Sequence, residues 1–258
     1  MDLGISNRKA IVCASSRGLG KACAMSLARE GVHVFINGRT EEALQECRRE
    51  IAESGGEVTA VLADVSSAAG RDALLEACPA PDILINNNGG PNPVGFPESS
   101  AEDWQAAIEA NMMAPIFLMQ AVLSGMRERR FGRIVNITSA MVKAPNPIMC
   151  ISSATRTALT ALSKAVSRDT VASNVTINNL LPEMFDTGRQ HDNAELIVAL
   201  TGISYGDARE RLKSRVTAGR FGQPQEFGDA CAFLCSSQAS YICGQNLQLD
   251  GGSYDGLI

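Results

Sequence analysis

Apolar runs short enough to be strands alternate with amphipathic runs long enough to be helices, from one end of this chain to the other. Strands are expected at 10–12, 32–36, 58–63, 82–85, 133–137, 175–181 and 246–249. The 82–85 run is apolar after Asp82, as a strand covered on both faces requires. Helices are expected over 21–30, over 41 to about 54, and over 66–78, 100–129, 151–172 and 224–236, with 188–222 polar and helical in parts. Thr40 precedes Glu41 and Glu42, and Ser100 precedes Glu102 and Asp103, so each helix starts on a capping residue and an acidic first turn. Pro115 predicts a kink or short break in the fourth helix. A β-α order of this kind gives an α/β fold. It is a parallel, doubly wound sheet of about seven strands, with right-handed crossovers and helices on both faces.

With 258 residues, 45% of them apolar, the chain can bury a large core as one domain spanning 1–258. A formal net charge of −5 argues against a nucleic-acid partner, which needs a basic face. No apolar run is read as long enough to span a bilayer. Asp2, Arg8 and Lys9 bracket a weakly apolar start, so neither a membrane anchor nor a signal peptide is expected. The eight cysteines are scattered, without a Cys-x-x-Cys pair, and His33 and His191 are far from them in sequence. No metal site is expected; buried, reduced thiols in a cytoplasmic protein are.

In open sheets of this type ligands bind beyond the carboxyl ends of the strands, so those ends carry the functional reading. The first strand ends in Cys13-Ala14-Ser15-Ser16-Arg17-Gly18-Leu19-Gly20 and runs straight into a helix. A small-residue turn there presents backbone N–H groups and a helix N-terminus to phosphate. Ala14 stands where a dinucleotide fingerprint has its first glycine, and a tight turn without a ligand is the alternative. The second strand ends in Asn37-Gly38-Arg39. The acidic residue that would hold a ribose 2′-hydroxyl is absent, and Arg39, with Arg17, suits a 2′-phosphate instead. This favours NADP(H) over NAD(H), unless both arginines are ordinary surface charges. The third strand ends in Asp64-Val65, a carboxylate able to accept from an adenine amino group. The fourth ends in Asn86-Asn87-Asn88-Gly89-Gly90, amides that either tie strand ends together or line a ligand. The fifth ends in Thr138-Ser139, and the sixth in Leu181-Pro182-Glu183, with Thr187 just after.

Taken in order, these features are similar to those of the short-chain dehydrogenase/reductases, and within them of the 3-oxoacyl-carrier-protein reductase-like branch. The likeness covers essentially the whole chain. It rests on the turn at 13–20, Asp64-Val65, Asn86-Asn87-Asn88-Gly89, Asn111, Ser139, Gly219-Arg220-Phe221-Gly222-Gln223-Pro224, and Gly244-Gln245-Asn246 with Asp250-Gly251-Gly252. The resemblance implies a Rossmann-type domain and hydride transfer between a small-molecule carbonyl and an alcohol. It implies a nicotinamide lying between Ser139 and the Pro182 and Thr187 segment, with Ser139 and Asn111 orienting a carbonyl oxygen and a proton-relay water. It further implies a mobile helical substrate lid around 188–222, and a homotetramer or homodimer built partly from the two long helices.

The chain also departs from the family. Its catalytic tyrosine lies about thirteen residues after the serine, with lysine four further on; those positions hold Ser152 and Arg156. The chain's three tyrosines are Tyr205, Tyr241 and Tyr254, and none begins a Tyr-x-x-x-Lys. Arg156 keeps a cation that can hold ribose hydroxyls. A serine hydroxyl is far less acidic than a phenol, whose pKa is about 10, and is shorter by a ring. Lys143, in a loop four residues after Ser139, is one substitute proton donor; His191 and Tyr205 in the lid are others. Glu183 replaces a glycine. Two readings follow: an NADP(H)-dependent oxidoreductase with an altered catalytic set, and a non-catalytic NADP(H)-binding homologue that acts as a sensor or assembly partner.

Overall fold

The computed structural model describes residues 2–257. Its centre is one seven-stranded sheet, all parallel, in the order β3-β2-β1-β4-β5-β6-β7. The strands are β1 (Lys9–Val12), β2 (His33–Gly38), β3 (Val58–Leu62), β4 (Ile83–Asn86), β5 (Gly132–Ile137), β6 (Val175–Pro182) and β7 (Asn246–Leu249). The helices are α1 (Gly18–Arg29), α2 (Glu41–Glu53), α3 (Ala68–Ala77), α4 (Ala101–Ile108), α5 (Ala114–Glu128), α6 (Cys150–Thr170), α7 (Gly188–Thr201), α8 (Tyr205–Lys213) and α9 (Pro224–Cys235).

The wholly apolar strands are explained by two separate cores. Ala10, Val12, Ile83, Ile85 and Val135 face one core, shared with α1 and α9. Their neighbours Ile11, Leu84 and Ile134 face the other, shared with α5 and α6. Side chains alternate across a strand, so burial on both faces demands an unbroken apolar run. α1 and α9 pack closely because Gly228 has no Cβ; one would lie 2.4 Å from the Ala22 carbonyl oxygen.

The expected break at Pro115 takes a different form. α4 and α5 are joined by a π-helical turn, Glu109–Met113. Pro115 has no N–H to give the Asn111 carbonyl, so the helix widens there and continues. Within the span Ala101–Glu128 an 18-residue stretch has a mean hydropathy of 1.5, apolar enough to cross a membrane by length and composition alone, contrary to the expectation that no run is. Its residues Leu118, Met119, Val122 and Met126 are buried in the core shared with α6.

The strands also carry polar cross-braces. Asn86, Asn136, Asn179 and Asn246 are register partners on β4, β5, β6 and β7. Asn86 Nδ2 donates to Asn136 Oδ1 (2.8 Å), Asn136 Nδ2 to Asn179 Oδ1 (3.0 Å), and Asn179 Nδ2 to Asn246 Oδ1 (2.8 Å). Four strands are thus laced together by side-chain amides, at the carboxyl ends of β4 and β5, within β6 and at the first residue of β7.

The lid has a small core of its own. Ala194 of α7, Ala208 and Leu212 of α8, and Phe221 are buried together.

Candidate nucleotide cleft

A cleft of about 740 Å³ opens along the carboxyl ends of the strands. Its walls include Ala14, Ser16, Arg17, Gly18 and Leu19 after β1, and Asn37, Gly38 and Arg39 at the end of β2. They continue through Asp64 and Val65 after β3, Asn87 to Gly90 after β4, Thr138 after β5, Arg156 of α6, and Pro182, Thr187 and Arg189.

The turn after β1 is tightly built. Ala14 adopts φ +44°, in the left-handed region that favours glycine. A Cβ on Gly20 would lie 2.4 Å from the Ala14 carbonyl oxygen, so only glycine lets the turn fold back on α1. The strain at Ala14 costs roughly 1–2 kcal/mol, partly offset by alanine's lower chain entropy when unfolded. Ala14→Gly is therefore expected to stabilise the protein by about 0.5–1 kcal/mol. Thermal unfolding checks this, and a lower Tm for Ala14→Gly would contradict it.

Two residues assigned to the cofactor prove to be struts of this turn. Ser15 is fully buried; its hydroxyl donates to the Val12 carbonyl at 2.6 Å and accepts from the Asn37 N–H. The Asn37 side chain accepts from the Ala14 N–H at 2.7 Å and donates to the Ala63 carbonyl at 2.9 Å. Their polar groups are spent on joining the ends of β1, β2 and β3. Gly20 likewise acts by its missing side chain, without lining the cleft.

The alternatives left open for the Asn86–Gly90 run both occur. Asn86 ties strands, Asn87 donates to the Ala14 carbonyl at 3.1 Å, and Asn88 donates to Ser66 and to the Ala110 carbonyl. Asn87, Asn88, Gly89 and Gly90 also line the cleft.

Helix caps show where an anion is wanted. α3, α4 and α8 begin on Ser67, Ser100 and Ser204, each of which accepts a first-turn N–H. α6 begins without a cap on Met149, away from the cleft; α1, α2 and α7 begin on Arg17, Thr40 and Thr187 and have no side-chain cap either. Those three capping positions all line the cleft. Three uncapped helix N-termini on one cleft leave their N–H groups and positive dipole ends for a ligand. Arg17 and Arg39 are exposed on the same wall, and neither guanidinium has an ion-pair or hydrogen-bond partner among the described residues.

At the deeper end Arg156 is buried. Its Nη1 donates to the Ile137 carbonyl at 2.8 Å and its Nη2 to the Asn88 carbonyl at 3.4 Å. Burial, helped by the neighbouring charge of Arg189, pushes its pKa down to about 10, so it stays cationic at neutral pH. Ser152 is buried one turn earlier on α6. Ser139 follows β5, and its hydroxyl accepts from the Met141 N–H at 3.2 Å, leaving its own proton free to donate elsewhere. Asn111 is buried in the π-helical turn, and its Oδ1 has no hydrogen-bond partner.

The substitute proton donors fare differently. The Lys143 ammonium stands 5.4 Å from the centroid of the Tyr254 ring, and Lys143, like Ser139, Asn111 and Ser152, is not among the cleft-lining residues. His191 Nδ1 bonds to the Tyr205 hydroxyl, and the two rings stack, so these lid residues engage each other rather than the cleft. Burial, with the nearby charge of Asp250, raises the Glu183 carboxyl above its usual range.

All eight cysteines are free. Burial pushes the Cys13 thiol up to about 12 and those of Cys47 and Cys78 to about 11. No group of three or more His, Cys, Asp or Glu residues able to hold a metal is present among the described residues.

The sequence reading passed over Gly38, Thr40, Asn87, Gly90 and Arg189 as site residues. Gly38 carried a legible signal, since it sits between two residues that were read. A Cβ there would meet Ser16 at 2.8 Å.

Known proteins share this arrangement. The short chain dehydrogenase family model matches residues 8–196. The NADPH-dependent reductase BacG of Bacillus subtilis is 32% identical over 96% of this chain and 98% of its own. A 3-oxoacyl-[acyl-carrier-protein] reductase from Synechocystis is 32% identical, covering 94% of this chain and 95% of its own. The structure of L-sorbose reductase from Gluconobacter frateurii with NADPH and L-sorbose superposes with a TM-score of 0.95 at 30% identity, covering both chains in full.

Proposed function

The chain belongs to the short-chain dehydrogenase family, and from that premise we propose that it is an NADP(H)-dependent oxidoreductase interconverting a small-molecule carbonyl and an alcohol. Its relatives among the 3-oxoacyl-carrier-protein reductases make 3-oxoacyl thioesters one substrate class to try. The observation that carries the reading is the meeting of three uncapped helix N-termini with two unpartnered arginines on one cleft.

That cleft fits the cofactor. The Gly18–Leu19 start of α1 suits the diphosphate, Arg17 and Arg39 the 2′-phosphate, and Asp64 the adenine amino group. Gly89, Pro182 and Thr187 would flank the nicotinamide half, with Arg156 donating to ribose hydroxyls. Bound NADPH supplies a hydride. The Ser139 hydroxyl donates to the substrate oxygen. The buried, unpartnered Asn111 Oδ1 is the acceptor that would hold a relay water, whose proton replaces the one a phenol would give. Ser152 stops short of the substrate, and Arg156 cannot donate its proton at ordinary pH. Turnover is therefore expected to run about 10²–10⁴-fold below that of an enzyme with a positioned general acid. We place the protein in the cytoplasm as a homotetramer or homodimer joined across the α4–α5 and α6 helices.

The serine at position 152, where the family has its tyrosine, is also what favours the second reading, a non-catalytic NADP(H)-binding homologue. NADPH titration followed by turnover on 3-oxoacyl thioesters and simple ketones separates the two. Slow turnover that falls at least about 100-fold in Ser139→Ala supports the enzyme. Tight NADPH binding without turnover, and with none gained in the Ser152→Tyr/Arg156→Lys double variant, supports the second reading.

A further inference from the structure

Two arginines converge on one point at the inner end of the cleft. A Cβ built on Gly90 would lie 3.4 Å from Arg189 Nη2 and 3.5 Å from Arg156 Nη2. Gly90, Arg156 and Arg189 all line the cleft, so the space beside the two guanidinium groups is open. Arg156 comes from the body of the fold, on α6, and Arg189 from the first turn of α7 at the start of the lid. Arg156 is held by the Ile137 and Asn88 carbonyls, and Arg189 Nη2 reaches across to the Gly90 carbonyl at 2.8 Å. Neither guanidinium has a carboxylate partner among the described residues.

Like charges brought together, one of them buried, are unfavourable unless an anion joins them. The cofactor's own anionic groups already have a place at the far end, on α1 and between Arg17 and Arg39. Two guanidinium groups on one stretch of the cleft wall match a planar carboxylate, which accepts bidentate hydrogen bonds on both oxygens. Ile137, whose carbonyl fixes Arg156, is the last residue of β5 and lies two positions before Ser139, so an anion held there is placed on the Ser139 side of the cleft.

We propose that Arg156 and Arg189 together form a carboxylate-binding site, and that the substrate is an oxo acid or hydroxy acid whose carboxylate lies next to, or one carbon from, the reacting carbon. The proposal rests on the oxidoreductase reading above and narrows its substrate class.

The test uses the full-length protein saturated with NADPH, with cofactor fluorescence as the signal. 2-Oxobutanoate and its neutral isostere 2-oxobutanamide are titrated in turn. The acid is expected to bind at least about tenfold more tightly than the amide. Arg189→Met should bring that ratio to about one, and Arg189→Lys should keep part of it, while the NADPH Kd moves by less than about threefold in both. Arg189 is exposed, so neither variant threatens the fold. Equal binding of acid and amide by the wild-type complex overturns the proposal. So does an Arg189→Met variant that weakens NADPH binding and leaves the acid-to-amide ratio intact, because the pair then serves the cofactor's diphosphate. A wild-type protein that binds no NADPH overturns the oxidoreductase reading itself and takes this proposal with it.

Discussion

Arg39→Glu is expected to cut the preference for NADPH over NADH by about 100-fold or more. Arg39 is exposed just after β2, lines the cleft, and has no partner to lose among the described residues. Its removal takes a bidentate cation from the 2′-phosphate, and the new carboxylate repels that phosphate while accepting from a ribose 2′-hydroxyl. Both effects push the ratio the same way. Adding Arg17→Ala should deepen the loss for NADPH and leave NADH nearly unchanged, because Arg17 stands on the same wall. Neither change touches a buried contact, so stability should stay within about 0.5 kcal/mol of wild type. Fluorescence titration with the two cofactors measures the ratio. A wild-type protein that holds NADH as tightly as NADPH would remove these arginines from 2′-phosphate recognition.

The strand ends were legible in the sequence for a topological reason. A parallel sheet places every strand's carboxyl end on one rim, so residues far apart in sequence could be assigned to one cleft without any side-chain geometry. Which side chains face the ligand was not legible, because that depends on register and on local competition for hydrogen bonds. Ser15 and Asn37 lie on the rim as expected, yet their polar groups are spent on the backbone around them. Lys143 lies close to Ser139 in sequence, but a 3₁₀ turn at Ala140–Val142 carries it away toward the Tyr254 ring. Arg189 was missed because its role depends on Gly90, ninety-nine residues earlier, and only the fold brings the two together. The uncapped helices illustrate the converse: Thr40 and Thr187 are capping residue types that make no cap. Where a cleft wants an anion, the missing cap is the functional signal, and sequence preference points the other way.

The asparagines make the same point with a larger energetic consequence. Asn136 is the last residue but one of β5, in a run that the sequence pattern reads as a strand. It is fully buried, and its side chain meets three others: it accepts from Asn86 at 2.8 Å and donates to Asn179 at 3.0 Å and Ser163 at 2.9 Å. Asn136→Leu preserves the volume and removes all three bonds. Asn86 Nδ2 and Asn179 Oδ1 would then be left without these partners inside a region that water does not reach. Each buried polar group deprived of its partner costs about 1–3 kcal/mol, and the leucine recovers part of that as apolar burial. The expected net loss is about 3–5 kcal/mol, lowering Tm by about 10 °C or more. The change should also reach the chemistry. Asn136 precedes Ile137, whose carbonyl positions Arg156, and lies three residues before Ser139. Turnover measured well below the new Tm should therefore fall more than NADPH affinity does, since the 2′-phosphate and diphosphate ends of the cleft are built on β1 and β2. Thermal unfolding and cofactor titration on the same preparation decide the matter. A Tm within about 3 °C of wild type would show that the amide lacing contributes little to stability and that the strands are held by their apolar faces alone.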